Sequence, residues 1–484
     1  MTILLATLLM AASPRTFHID ALHGSDSSPG TIAKPWRSLA RVAKETLQPH
    51  DKLLLAGGQT FQGPLKIGKE ANGVTLASYG KGRAKIDGGA GDGIVIDGCA
   101  DVYVTEIDVV GSGRKASDGA GVRIERSQRV RLEDMDISGF RVAGVEMNGV
   151  AGTSLENVAA HHNGAAGISV IGGYDGTARS KDVTIQNCKA FENAGDPKNL
   201  TNHSGNGIVV GGVDSCSIRL CEAYRNGWDM PRKGNGPVGI WAWNASHVLI
   251  ERCISRHNDS PGTDGGGFDF DGGVTDSVMQ YNLSYENAGC GYLLCQYEGG
   301  GEWKNNVVRY NFSYNDGAKN FQCGIGIYDG GGKFSDAEIT NNTIVNEEHA
   351  VVATHRVPGL TFRKNIFVAG KDAILGDFSP SRFEKNLYQT SARIAAAYEG
   401  KEAWPTLAEW AKATGQEMEK GEIVGYAIDA KLRLPTKGER LPTDPAQLSK
   451  MTLLRPEKDS LARAFGLGVP DPELVKAQEG SFSR

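Results

Sequence analysis

The stretch VTIQNCKAFEN at residues 183–193 returns as CSIRLCEAYRN at 216–226, VLIERCISRHN at 248–258, SVMQYNLSYEN at 277–287 and VVRYNFSYND at 307–316. Weaker copies follow in EITNNTIVNE, TFRKNIFVAG and SRFEKNLYQT. Aligning them puts Cys188, Cys221, Cys253, Asn282, Asn311, Asn342, Asn365 and Asn386 at one position, with steps of 33, 32, 29, 29, 31, 23 and 21 residues. A second phrase also recurs, as DGIVID, AGVRIE, AGVEMN, AGISVI, NGIVVG, VGIWAW, GGFDFD and CGYLLC. It reads Gly, apolar, open, apolar.

Repeats of this length with short strands, Gly/Asn turns and no helical period specify a solenoid. The LxxLxL pattern of leucine-rich repeats is absent, and a propeller blade needs about 40 residues and four strands. A parallel β-helix fits. Equivalent residues then stack at about 4.8 Å per coil, and about eleven coils between residues 92 and 390 make a rod of roughly 50 Å. In this register Cys188, Cys221 and Cys253 form an internal ladder of free thiols. Asn193, Asn226, Asn258 and Asn287 fall in turns, where their amides can bond backbone of their own and the neighbouring coil.

The composition agrees with a turn-rich chain: 64 of 484 residues are glycine, nearly twice the usual share of about 7%. A net charge of -5 excludes a whole-chain nucleic-acid footprint. None of the eight cysteines has tight zinc-ligand spacing. Residues 1–16 hold an apolar run, Ile3 to Ala12, with the length of a signal-peptide core and far too short to span a membrane. It reads as a leader for a secreted or periplasmic protein, against the alternative of a buried N-terminal segment. Residues 17–91 read as an N-terminal cap with the first coil strands, and 92–390 as the β-helix. Residues 391–484 lose the repeat and read as a C-terminal cap over the open last coil, not as a second catalytic domain.

The coils, together with FHIDALHGSDSSPGTIAKPWRSLARVAKETLQPHDKLLLAGGQTFQG at residues 17–63, resemble the right-handed parallel β-helix superfamily of pectate-lyase-like proteins. The resemblance implies an opening strand, a loop, a capping helix and a first-coil strand. It implies a polysaccharide or oligosaccharide partner, since members are mostly lyases, glycoside hydrolases or epimerases, with some non-catalytic binders.

With the phrases in register, the open position becomes an outward column of Arg123, Glu146, Ser169, Val209, Trp241, Asp269, Leu293 and then Gly326 or Tyr328. The next outward residues are Asn148, Trp243, Asp271 and Cys295. Trp241 and Trp243, two apart on a strand, suit the face of a sugar ring unless a loop covers them. Asp269 and Asp271 lie about 6–7 Å apart at Cβ, near the carboxyl separation of inverting glycosidases, roughly 6.5–9.5 Å. Their mutual repulsion would raise one pKa, as a general acid requires.

Four long polar loops precede successive phrases and pile into one wall carrying Lys198, His203, Trp228, Asp229, Arg232, Lys233 and Asp264. Downstream, LLCQYEGGGEW supplies Gln296, Tyr297, Glu298 and Trp303, and IGIYDGGG supplies Tyr328 and Asp329. The first reading is glycoside hydrolysis by Asp269 and Asp271, with Asp264, Asp229 or Glu298 able to replace either. Trp241, Trp243, His203, Trp228, Arg232, Lys233, Gln296, Tyr297 and Tyr328 are the candidate substrate contacts. DGGGFDF is similar to the acidic motifs of β-helical hydrolases such as polygalacturonases, without their full motif set. Hydrolysis needs no cofactor. The alternative is a lyase or epimerase on a uronate polymer, in which Asp264, Asp269 and Asp271 could hold Ca2+ and His203, Lys198, Arg232 or Lys233 could be the base or clamp. A third class is a glycan-binding rod without catalysis.

Overall fold

The computed structural model describes residues 13–69, 71–172, 179–331, 333–379 and 381–470; the expected leader at 1–16 lies mostly outside these. The chain is an almost entirely parallel β-solenoid. One face is a 14-stranded sheet running from Leu65–Ile67 to Ala403–Trp404, parallel until its last, antiparallel pair. A 25-stranded sheet supplies the remaining faces of each coil. Parallel pairing begins at the N-terminus, where Thr16–Ile19 joins Lys52–Ala56. Phe17 stacks on Trp36 at 4.3 Å and a short helix, Leu39–Val42, starts at the Ser38 cap. Among the described residues no helix is long and apolar enough to cross a membrane.

Each coil turns a corner at a residue in the left-handed region. Asn187, Leu220, Arg252, Tyr281, Tyr310, Asn341, Lys364 and Lys385 all have φ between 51° and 59°, and each immediately precedes a residue of the aligned column. That conformation costs an L residue about 1–2 kcal/mol. The column offsets it with hydrogen bonds between coils. The Nδ2 of Asn282, Asn311, Asn342 and Asn365 each donates to Oδ1 of the next asparagine at 2.9–3.1 Å. The cysteines upstream are buried free thiols that donate to carbonyls two residues back. A second ladder, Asn163, Asn193, Asn226, Asn258 and Asn287, runs the same way and ends on Asp316.

These ladders explain the repeated glycine, which sequence spacing assigns to a turn. Gly267 lies within the strand Gly266–Phe270, and a Cβ there would meet Ser284 Oγ at 2.1 Å and the Gly291 carbonyl oxygen at 2.8 Å. The next coil and the residues beside the second ladder occupy the space. Gly265 and Gly273, with φ of 78° and 76°, are the turn glycines.

The C-terminal segment closes the last coil and also doubles back. A helix, Leu407–Thr414, carries a Thr406/Glu409 capping box and sets Trp410 edge-on to Phe383 and Tyr388. The chain then returns along the flank, packing Leu441, Leu448, Met451, Leu453 and Leu454 over Ile254, Leu283, Tyr285, Phe312 and Val345. Outward-facing apolar side chains on those coils need this cover; burying each contributes about 1.5–3 kcal/mol.

Candidate active site

The outward column forms in the register that the repeat specifies. Arg123 pairs with Glu146, Ser169 with Val209, Val209 with Trp241, Trp241 with Asp269, Asp269 with Leu293 and Leu293 with Gly326. Tyr328 stands beside Cys295, in the second outward position. Phe268 and Phe270 point inward and are fully buried, and Phe268 stacks on Tyr292 at 5.3 Å. Period-two alternation therefore puts Asp269 and Asp271 on the outer face.

Both carboxylates, with Asp264, line a cavity of about 540 Å³. Trp241, Leu293 and Cys295 share its floor with the acids. Loops and strand ends contribute Asn235, Thr263, Tyr297, Phe321, Tyr328, Thr354 and His355. Asp264 and Gly265 take φ of 59° and 78° in succession, a bend that asparagine, aspartate and glycine accept most readily. Phe321 and Gln322 also have positive φ, 59° and 48°.

The acids differ in their surroundings. Asp269 is 3% exposed, and its Oδ1 is buried without a hydrogen-bond partner. Desolvation drives its pKa well above the ordinary value, reinforced by the charges of Asp271 and Asp264. Desolvation also raises Asp271, but the Cys295 thiol and the Gly272 N–H, at 2.8 Å, donate to its carboxylate and pull the other way. Asp264 is pushed to about 7, chiefly by desolvation and against the Gly236 N–H that donates to its Oδ2 at 2.7 Å. The surroundings favour the proton on Asp269 over Asp271, whose anion two donors support. Among the described residues no Lys or Arg lines the cavity, and no group of three or more His, Cys, Asp or Glu is disposed to hold a metal ion.

Several sequence candidates stand elsewhere. The exposed tryptophan platform does not form. Trp241 is 3% exposed, packs on Ala143, Ala166, Val209 and Val238, and donates Nε1 to Asn206 Oδ1 at 3.0 Å. Trp243 lies over Gly211 and off the cavity. His203 sits edge-on to Trp241 and does not line the cavity, with desolvation lowering its pKa to about 4. Asp229 pairs with Arg114, whose guanidinium lies 5.8 Å from the Trp228 ring, away from the acids. Gln296 is inward and fully buried, donating to the Gly301 carbonyl at 2.8 Å. Arg232 bonds Asn235 at the edge of the cavity and its charge acts on Asp264, while Lys233 and Glu298 are exposed; none of the three side chains lines the cavity. Lys198 pairs with Asp118, and Trp303 is core, donating to the Phe270 carbonyl. Asp264, Asp269, Asp271, Tyr297 and Tyr328 do converge, and Trp241, though buried, lines the same cavity. Phe321 and His355 join them from loops that carry no repeat phrase.

A family model described as Pel9A-like, right handed beta helix region, matches residues 18–324. A search of curated proteins gives no match. Among solved structures, the chain is similar to pectate lyase Pel9A at 15% identity and a TM-score of 0.42, covering 93% of this chain and 91% of that one. It is similar to the GH136 lacto-N-biosidase from Eubacterium ramulus at 17% identity and a TM-score of 0.44, covering 72% of this chain. This chain spans only 65% of that enzyme's length. It is also similar to PfbA, a surface adhesin of Streptococcus pneumoniae, at 11% identity and a TM-score of 0.45, covering 74% of this chain and 87% of that one.

Proposed function

The chain belongs to the Pel9A-like right-handed β-helix family, and from that premise we propose that it is a glycoside hydrolase acting on a neutral glycan. The observation that carries this reading is the buried, unpartnered Oδ1 of Asp269 beside two further carboxyls. A carboxyl in that position stays protonated and can donate.

Asp269 gives its proton to the glycosidic oxygen as the bond from that oxygen to the anomeric carbon breaks. Asp271 takes a proton from the water that attacks the same carbon. Solvent then returns a proton to Asp269 and removes one from Asp271. Asp269 on the strand and Asp271 just past its end stand about 6–7 Å apart at Cβ on extended geometry, which suits a water between them and inversion at the anomeric carbon. Asp264 adds a third carboxyl close by. Tyr297 and Tyr328 offer ring faces and hydroxyls to the sugar.

Elimination on a uronate needs a cation to neutralise the sugar carboxylate, and the cavity lining contains no Lys or Arg. A binder without catalysis has no use for a desolvated acid. Digestion of a panel of neutral and uronic polysaccharides tests the reading. New reducing ends without an ultraviolet-absorbing unsaturated product support hydrolysis. The unsaturated product in the wild type, or no turnover on any member, overturns it.

A further inference from the structure

A second cavity, of about 550 Å³, adjoins the first. Thr354 and His355 line both, and Tyr328 meets His355 edge-on at 5.2 Å. Its far side is built by the C-terminal segment, which contributes Tyr398, Glu402, Trp404 and Trp410. Arg356, Asp377 and Ser379 add polar groups from the last coils. Tyr398 is 40% exposed, and Trp404 is partly buried in the antiparallel pair that ends the sheet. Ring faces beside hydroxyl, guanidinium and carboxylate groups are the chemistry that holds a pyranose.

The two cavities lie on one face of the solenoid. From the strand of Trp241 to the strand of Ala395 there are six inter-strand steps, about 29 Å at roughly 4.8 Å each. A mono- or disaccharide cannot fill that length. We propose that the second cavity is a further glycan subsite, built by the C-terminal segment, that holds residues of the same neutral chain whose bond lies at Asp269 and Asp271. This rests on the carboxylate cavity being the place of cleavage. It adds that the segment is part of the binding surface as well as a lid on the last coil. It also implies a polymeric substrate cut internally.

The test uses the full chain and neutral xylo- and laminari-oligosaccharides of di-, tetra- and octasaccharide length, with affinity measured by calorimetry. Affinities are compared in the Asp269→Asn background with and without Tyr398→Ala or Trp404→Phe, and octasaccharide turnover is assayed separately in wild type and Asp269→Asn. For Tyr398→Ala, the ratio of octasaccharide to disaccharide affinity falls about tenfold, equivalent to ~1.4 kcal/mol. For Trp404→Phe, which keeps a ring, it falls less. Unchanged ratios in both variants overturn the subsite. The two readings fail separately. Lost turnover in Asp269→Asn with unchanged ratios at Tyr398 and Trp404 leaves the carboxylate site standing alone. Wild-type turnover in Asp269→Asn with weakened long-chain binding at Tyr398 removes the hydrolytic reading and leaves the groove.

Discussion

Asn386 ends its ladder on Glu417, donating Nδ2 to Glu417 Oε1 at 2.7 Å. The same oxygen accepts the Tyr388 hydroxyl at 2.7 Å, and Oε2 accepts the Lys385 N–H at 2.6 Å. Glu417 is fully buried, so the C-terminal segment supplies the acceptor that a further coil would have provided. Glu417→Ala strands these donors, each at about 1–3 kcal/mol. The segment from residue 403 onward should detach before the coils unfold, seen as faster proteolysis there. Glu417→Gln keeps one acceptor and should lie between. Equal protease resistance in all three proteins would sink this account of the cap.

Gly267→Ala makes a contrasting prediction. Alanine ordinarily stabilises a strand relative to glycine by about 0.5–1 kcal/mol. Here the added Cβ meets Ser284 Oγ at 2.1 Å and backbone of the next coil. Overpacking of that kind costs about 1–3 kcal/mol, and the strain falls on the strand that carries Asp269. A lower melting temperature and reduced turnover are expected together. A melting temperature at or above wild type would show that the glycine does not serve this contact.

The register was legible because its signal is periodic. Cys188 through Asn386 share one position, so their order settles which residue of VGIWAW and GGFDFD faces out. Alternation also carries the sense of Gln296: Tyr292 and Leu294 face in, so Gln296 does too. Burial of Trp241 was not legible, because its partner Asn206 and its neighbour His203 come from the previous coil's approach, where loop length varies. Phe321 and His355 reach the cavity from loops of no fixed period. Asp229 and Glu298 have the right chemistry, but loop geometry turns them elsewhere, and sequence spacing does not encode that direction.

Stability should depend on pH in an uncommon direction for an acidic group. Burial raises Asp264 from an ordinary 3.8 to about 7. Between those values the folded state binds more protons than the unfolded one, so stability falls as pH rises. The contribution is fully present below about 3.8 and has gone once pH passes about 7. Asp269, also raised, acts in the same sense. Asp264→Asn removes its share. Chemical denaturation at a series of pH values should show a shallower decline across that window for the variant. A parallel pH profile in both proteins would contradict a desolvated, proton-holding Asp264.

Asp269 and Asp271 should be separable by leaving group. Loss of a general acid costs about 100- to 10,000-fold in rate when the departing oxygen needs a proton. A dinitrophenolate leaves without one. On a dinitrophenyl glycoside of whichever neutral sugar the panel identifies, Asp269→Asn should keep most of the wild-type kcat. Asp271→Asn should lose turnover on the activated and natural substrates alike, since both need water activated. Wild-type activity should also survive EDTA, because neither step calls on a metal ion. If Asp269→Asn fails equally on both substrates while Asp271→Asn retains the activated one, the roles are reversed. If chelation abolishes activity and Ca2+ restores it, the carboxyls serve a cation, and the buried oxygen of Asp269 is a ligand awaiting it instead of a proton donor.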